Sequence, residues 1–123
     1  MIKTKTVEKP WGCYTDYYRT DSVVFKRIVV NPGEELSYQL HHKREEFWYV
    51  LSGNGMLRLN SSNWYVRPGM SFHIKTNESH QLINNGDEKI VVFEMQFGTC
   101  LEDDIVRLED KYGRQGESGM GDS

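Results

Sequence analysis

Turn residues cut this sequence into short β-rich runs, and that punctuation constrains the fold more than any other feature. Val23–Val30 (VVFKRIVV) ends at Asn31-Pro32-Gly33. Leu36–His41 and Phe47–Leu51 follow, and Ser52-Gly53-Asn54-Gly55 turns the chain. Met56–Asn60 and Asn63–Val66 flank a polar Ser61-Ser62 tip, and Arg67-Pro68-Gly69 turns it again. Ser71–Lys75, His80–Asn84 and Lys89–Phe97 complete the set. Branched and aromatic residues at period two, interrupted at regular spacing by Gly, Pro and Asn, predict roughly eight or more strands in an all-β sandwich or barrel. One segment has helical spacing instead. Glu102–Lys111 is acidic at its start and places Ile105, Leu108 and Tyr112 on one face, which predicts a short C-terminal helix. A single domain over 1–114 is expected, with the Gly/Ser-rich 115–123 as a disordered polar tail.

Composition excludes several function classes. A chain of 123 residues with 37% apolar content supplies one core. The net charge of −3 is made of both signs spread along the chain, with no basic block, so neither nucleic acid nor an anionic membrane is an expected partner. Apolar runs such as Ile90–Phe93 are far too short to span a bilayer, and MIKTKTVEKPWG lacks the apolar core of a signal peptide. The expected location is the cytoplasm, with Cys13 and Cys100 as reduced thiols.

The chemistry concentrates in LSYQLHHKREEFW. Alternation puts Ser37, Gln39 and His41 on one strand face, and Glu46, Trp48 and Val50 on one face of the next. If the two strands pair as a hairpin, His41 and Glu46 flank its turn and converge. His80 opens a later strand. Two imidazoles, a carboxylate and an amide oxygen form a ligand set for one divalent metal. Zinc is the first choice, with Mn, Ni, Co, Fe or Mg as alternatives. His42 points away from Gln39 and His41 by alternation. Lys26 and Arg27 are neighbours on an apolar strand, so one faces the interior and the other faces out. A buried cation there needs an anionic partner, which a substrate phosphate would supply.

The spacing resembles the two motifs of the cupin superfamily. Gly33, Gln39, His41, Glu46 and Gly53 fall on the first motif, with Gln39 in place of the usual first His, and Gly69, His80 and Asn84 fall on the second. KPWGCY, FKRIVVNPGEELSYQLHHKREEFWYVLSG and EDDIVRLEDKYGR are similar to the C-terminal domain of type II mannose-6-phosphate isomerases, over roughly residues 9–114. In that family the first motif usually continues His-His-His-Arg-x-Glu-His. Here Lys43 and Phe47 replace histidines, while Arg44 and Glu46 are kept.

The resemblance implies a small cupin, a double-stranded antiparallel β-sandwich that forms a homodimer through an edge strand. It also implies metal-dependent interconversion of mannose 6-phosphate and fructose 6-phosphate. Gln39, His41, Glu46 and His80 would hold the metal. Arg44, Glu46 and His42 form the catalytic set, the base lying among His42, Glu45 and a metal-bound water. Lys26, Arg44 and Arg114 would hold the sugar phosphate, with Trp48 as a wall. Two alternatives stay open: another cupin enzyme, such as a nucleotide-sugar epimerase, ketoisomerase or oxygenase, and a non-catalytic sugar-phosphate-binding cupin, toward which Phe47 points.

Overall fold

A computed structural model describes residues 4–113. Eleven strands run through it: β1 (Lys5–Lys9), β2 (Gly12–Arg19), β3 (Val23–Val30), β4 (Tyr38–Leu40), β5 (Arg44–Ser52), β6 (Gly55–Leu59), β7 (Ser62–Val66), β8 (Ser71–Ile74), β9 (His80–Ile83), β10 (Ile90–Gly98) and β11 (Val106–Glu109). They form two antiparallel sheets, ordered β1-β2-β3-β10-β5-β8 and β11-β4-β9-β6-β7. This is the expected all-β sandwich. The sequence reading had no counterpart for β1 and β2.

The C-terminal helix does not form. Residues of 102–111 instead supply β11, which pairs with β4 in the register Val106↔Leu40 and Arg107↔Gln39. The reason is visible in the burial. Ile105 and Arg107 face inward while Val106 and Leu108 face out, a period of two rather than 3.6. The free edge of β4 takes up the backbone hydrogen bonds that a helix would have kept for itself.

Nor do β4 and β5 form a hairpin. β4 bonds to β9 and β11, and β5 bonds to β8 and β10, so the connection at 41–43 crosses between sheets. His41 and Glu46 therefore approach each other across the sandwich. The β6–β7 hairpin does form, with Asn60 (φ 47°) and Ser61 (φ 70°) in the left-handed region that its tight turn demands.

The interior is divided along the strands. Ile28, Val92 and Val50 lie side by side in register and join Trp11, Leu36, Leu57 and Leu82 in an apolar core. Further along the same strands, Lys26, Glu94 and Trp48 form the next inward row, and Val24, Gln96 and Glu46 the one after. The sandwich thus has an apolar end and a polar end. Of the pair weighed in the sequence, Lys26 is the inward one, 1% exposed, and Arg27 is on the outer face.

A turn glycine lets the chain cross closely between the two sheets. Gly53 has φ +86°, and a Cβ there would stand 2.3 Å from the Lys89 carbonyl oxygen. The backbone of the 52–55 crossover packs directly on the start of β10, and no side chain fits between. Gly53→Ala is expected to lower unfolding free energy by about 1–3 kcal/mol, through strain and displacement together. An unchanged urea midpoint would contradict this close approach.

Candidate metal centre

Three donors from three elements meet at the polar end. His41 follows β4, Glu46 lies on β5 and His80 opens β9. One ligand atom from each lies within 4.8 Å of the others, and all three side chains are buried. His41 Nε2 is 3.4 Å from Glu46 Oε2, and His80 Nε2 is 3.6 Å from Glu46 Oε1. The two rings lie 5.3 Å apart.

Backbone carbonyls fix which ring nitrogens face the centre. His41 Nδ1 is 2.6 Å from the Asp104 carbonyl, and His80 Nδ1 is 2.9 Å from the Glu78 carbonyl. A carbonyl only accepts, so each Nδ1 carries the hydrogen and each Nε2 turns a lone pair inward. Burial pushes the His41 pKa down from 6.5 to about 4, outweighing the attraction of Glu46, and it lowers His80 in the same way. At neutral pH two imidazole lone pairs therefore face one carboxylate, an arrangement that asks for a cation.

Arg44 supplies part of that charge. Its Nε and Nη2 donate to Glu46 Oε2 at 3.1 and 2.9 Å, and Nη2 also lies 3.1 Å from His41 Nε2. A second observation fits a metal. Gln39 stands directly opposite His80 in the sheet, and its Oε1 is buried with no hydrogen-bond partner. A buried amide oxygen without a donor is costly, and a hard or borderline cation satisfies it. His41, Glu46 and His80 thus suit a divalent ion in residue type, protonation and placement, with Gln39 in register beside His80.

The remaining predicted residues divide. Trp48 is buried, and its Nε1 bridges Glu46 Oε1 (3.2 Å) and Glu94 Oε2 (2.8 Å). Lys26 lies over the Tyr14 ring at 4.3 Å and 4.0 Å from Asp16. His42 does not join the cluster. It is exposed, with Nδ1 2.7 Å from the Asn77 side-chain oxygen. Glu45 also faces outward and contacts His73 Nε2 at 3.0 Å. Lys43 is exposed, and Phe47 is 42% exposed on the outer face, so the two departures from the expected motif lie outside the donor set. Arg114 lies outside the described residues, as does the tail 115–123.

Sequence reasoning missed Asp104, Arg107 and the full part played by Glu94 and Gln96. The Asp104 carboxylate accepts from the backbone N–H groups of His42 (3.0 Å) and Lys43 (2.9 Å), while its carbonyl holds His41. Arg107 is buried opposite Gln39, in the row that continues to His80. Gln96 Nε2 donates to Glu94 Oε1 at 2.6 Å. Alternation along β10 puts Glu94 and Gln96 on one face, which is legible in the sequence, but not their bonds to each other and to Trp48. Nothing local in EDDIVR marks Asp104 as a brace for a histidine some sixty residues away.

Comparison with known proteins follows the same lines. A model of the mannose-6-phosphate isomerase C-terminal family matches residues 1–110. The chain belongs to this family of cupins. It is 37% identical over 115 residues to the alginate biosynthesis protein AlgA of Pseudomonas aeruginosa, covering 93% of the chain and 24% of that protein. It is 38% identical over 111 residues to the mannose-1-phosphate guanylyltransferase ManC of Salmonella typhimurium, covering 89% and 23%. The chain thus spans about a quarter of the length of these curated relatives. Among solved structures, the capsular polysaccharide assembling protein CapF of Staphylococcus aureus shares the fold, with a TM-score of 0.77 at 21% identity over 88% of this chain and 35% of that one. A putative sugar phosphate isomerase from Acidithiobacillus ferrooxidans matches with a TM-score of 0.62 at 29% identity, over 70% and 56%.

Two expectations follow from the centre. Asp104→Ala removes the carboxylate that pins the backbone beside His41. Metal affinity should fall about 10–100-fold by calorimetric titration while the donors remain. Unaltered affinity would show that the brace is dispensable. The metal-free protein should also lose stability as pH falls from 6.5 toward 4. The unfolded chain protonates its histidines below 6.5, whereas folded His41 resists until about 4. His41 alone accounts for about 3 kcal/mol of that loss, and a His41→Gln variant should show a correspondingly flatter dependence in urea titrations at several pH values.

Proposed function

We propose that the chain is a metal-dependent aldose–ketose isomerase that interconverts mannose 6-phosphate and fructose 6-phosphate. The observation that carries this reading is the buried His41–Glu46–His80 set, built into a chain of the mannose-6-phosphate isomerase C-terminal family. Gln39, His41, Glu46 and His80 would hold the ion, zinc being the first choice for two imidazoles and a carboxylate. When bound, the ion supplies Lewis-acid polarisation of the sugar carbonyl and its neighbouring hydroxyl.

The rest of the work falls to the chain. Isomerisation moves a proton between C2 and C1 through an enediol. Glu46 is committed as a ligand, and His42 and Glu45 face outward. Glu94 is another buried carboxylate and lies in the row beside Glu46, held by Trp48 Nε1 on one oxygen and Gln96 Nε2 on the other. That grip fixes its orientation, and we assign it the proton transfer. Arg44 lends positive charge where negative charge develops in the enediol. Lys26, Arg44 and Arg107 are the buried Lys and Arg side chains among the described residues, and phosphate recognition is drawn from them.

NMR observation of mannose 6-phosphate incubated with the metal-replete protein tests the reading. Fructose 6-phosphate should appear. Glu46→Gln and His80→Ala should lose both metal and turnover, whereas Glu94→Gln should keep its metal and lose roughly 10²–10⁴-fold in rate. His42→Ala should retain activity. Intact metal binding with no turnover in the unaltered chain would rule the isomerase out and leave a binding protein.

A further inference from the structure

One buried hydroxyl is left over by the metal centre. Ser37 is 0% exposed and lies two residues before Gln39, on the same inward face of the segment that leads into β4. Among the described residues its Oγ has no hydrogen-bond partner, and neither has Gln39 Oε1. Gln39 Nε2 donates to the Ser37 carbonyl at 3.3 Å, so that bond satisfies the main chain and not the side chain. The adjacent Tyr38 shows the contrast, for its hydroxyl lies 2.7 Å from Ser79 Oγ. A hydroxyl held out of water with nothing to bond costs free energy, and alanine would take the same place without that cost. Such a group calls for a ligand.

Its place in the sheet says which ligand. Gln39 stands opposite His80 at the metal centre, and one step back the Leu36 N–H bonds the Leu82 carbonyl. Leu82 is in register with Leu57, and all three leucines belong to the apolar core. Ser37 therefore sits on the boundary where the donor row gives way to the core, roughly 7 Å along the strand from Gln39. We propose that Ser37 is a substrate-binding residue whose Oγ bonds the sugar hydroxyl at C3 or C4, and that it thereby takes part in sugar specificity. This rests on the isomerase reading, in which C1 and C2 lie at the metal donors and the phosphate lies on the buried cations. The hydroxyls between those two ends are left for neutral partners. A serine hydroxyl both donates and accepts, as a sugar hydroxyl does, so the two match. A phosphate beside Leu36 and Leu82 would instead exchange its hydration for a single neutral donor. A site built to bond a substrate hydroxyl also rejects the analogue that lacks it, because the buried group is then left unpaired.

Ser37→Ala separates this role from a structural one. The urea midpoint of the variant should equal or exceed that of the unaltered chain, because the fold loses no bond. Its affinity for mannose 6-phosphate, titrated calorimetrically on the metal-loaded protein, should fall roughly tenfold. Ser37→Cys, close in shape but a weak hydrogen-bonding group, serves the same purpose if the alanine variant does not fold. Of the 3-deoxy and 4-deoxy analogues of mannose 6-phosphate, one should bind the unaltered chain about as weakly as mannose 6-phosphate binds the variant. That analogue should lose nothing further in the variant. A lowered urea midpoint would show that the hydroxyl serves the fold, through a trapped water or otherwise, and would overturn the proposal. So would full affinity for mannose 6-phosphate in the variant, or a further loss with both analogues. An unaltered chain that binds no mannose 6-phosphate would sink the isomerase reading as well. A chain that binds and turns it over equally with and without the hydroxyl would sink this proposal alone.

Discussion

Burying the Glu46 carboxylate is the constraint on which the polar half of this structure depends. A charged carboxylate removed from water costs several kcal/mol unless donors and positive charge surround it. Here Arg44 donates twice to one oxygen and Trp48 to the other. The Arg44 guanidinium must be buried in turn, and Trp48 carries the network on to Glu94 and Gln96. The two histidines face the same carboxylate as neutral rings, their outer nitrogens anchored to backbone carbonyls. One buried anion thereby organises residues from the end of β4, β5, β9 and β10.

The division of the interior follows from this. The apolar end, around Trp11, Leu57 and Leu82, supplies the hydrophobic stabilisation, and the polar end is held by paired and hydrogen-bonded groups. The apolar end offsets the cost of the polar end, which is how a small domain can maintain a cluster of desolvated charges. The same division turns aromatic residues outward on β3, β5 and β10. With Lys26, Glu94 and Glu46 occupying the inward positions, the apolar residues between them have only the outer face left.

This geometry also bears on the two positions that depart from the family motif. Lys43 lies in an exposed crossover, and Phe47 belongs to the outer aromatic layer, stacked on His73. Neither side chain enters the donor set, so the departures leave Gln39, His41, Glu46 and His80 as they are. What Phe47 changes is the outer surface of the sheet, where a large apolar ring takes a place that the motif usually gives to an imidazole.

The sequence by itself determined the class of fold, the strands from β3 to β10, which residues around β4 and on β5 share a face, and the candidate donor residues. These are local properties: period-two alternation, glycines at forced turns, and residue types that bind metals. Only the tertiary structure decided which strands lie side by side. Whether β4 pairs with β5 or crosses away from it depends on edges that strands far along the chain supply. The segment 102–111 has helical spacing on paper, yet it becomes β11 because the free edge of β4 is beside it. Asp104 braces His41, and Gln39 stands opposite His80, for the same reason. Period and turn chemistry act over a few residues, whereas hydrogen-bonding edges and buried charges are satisfied by whatever the fold brings to them.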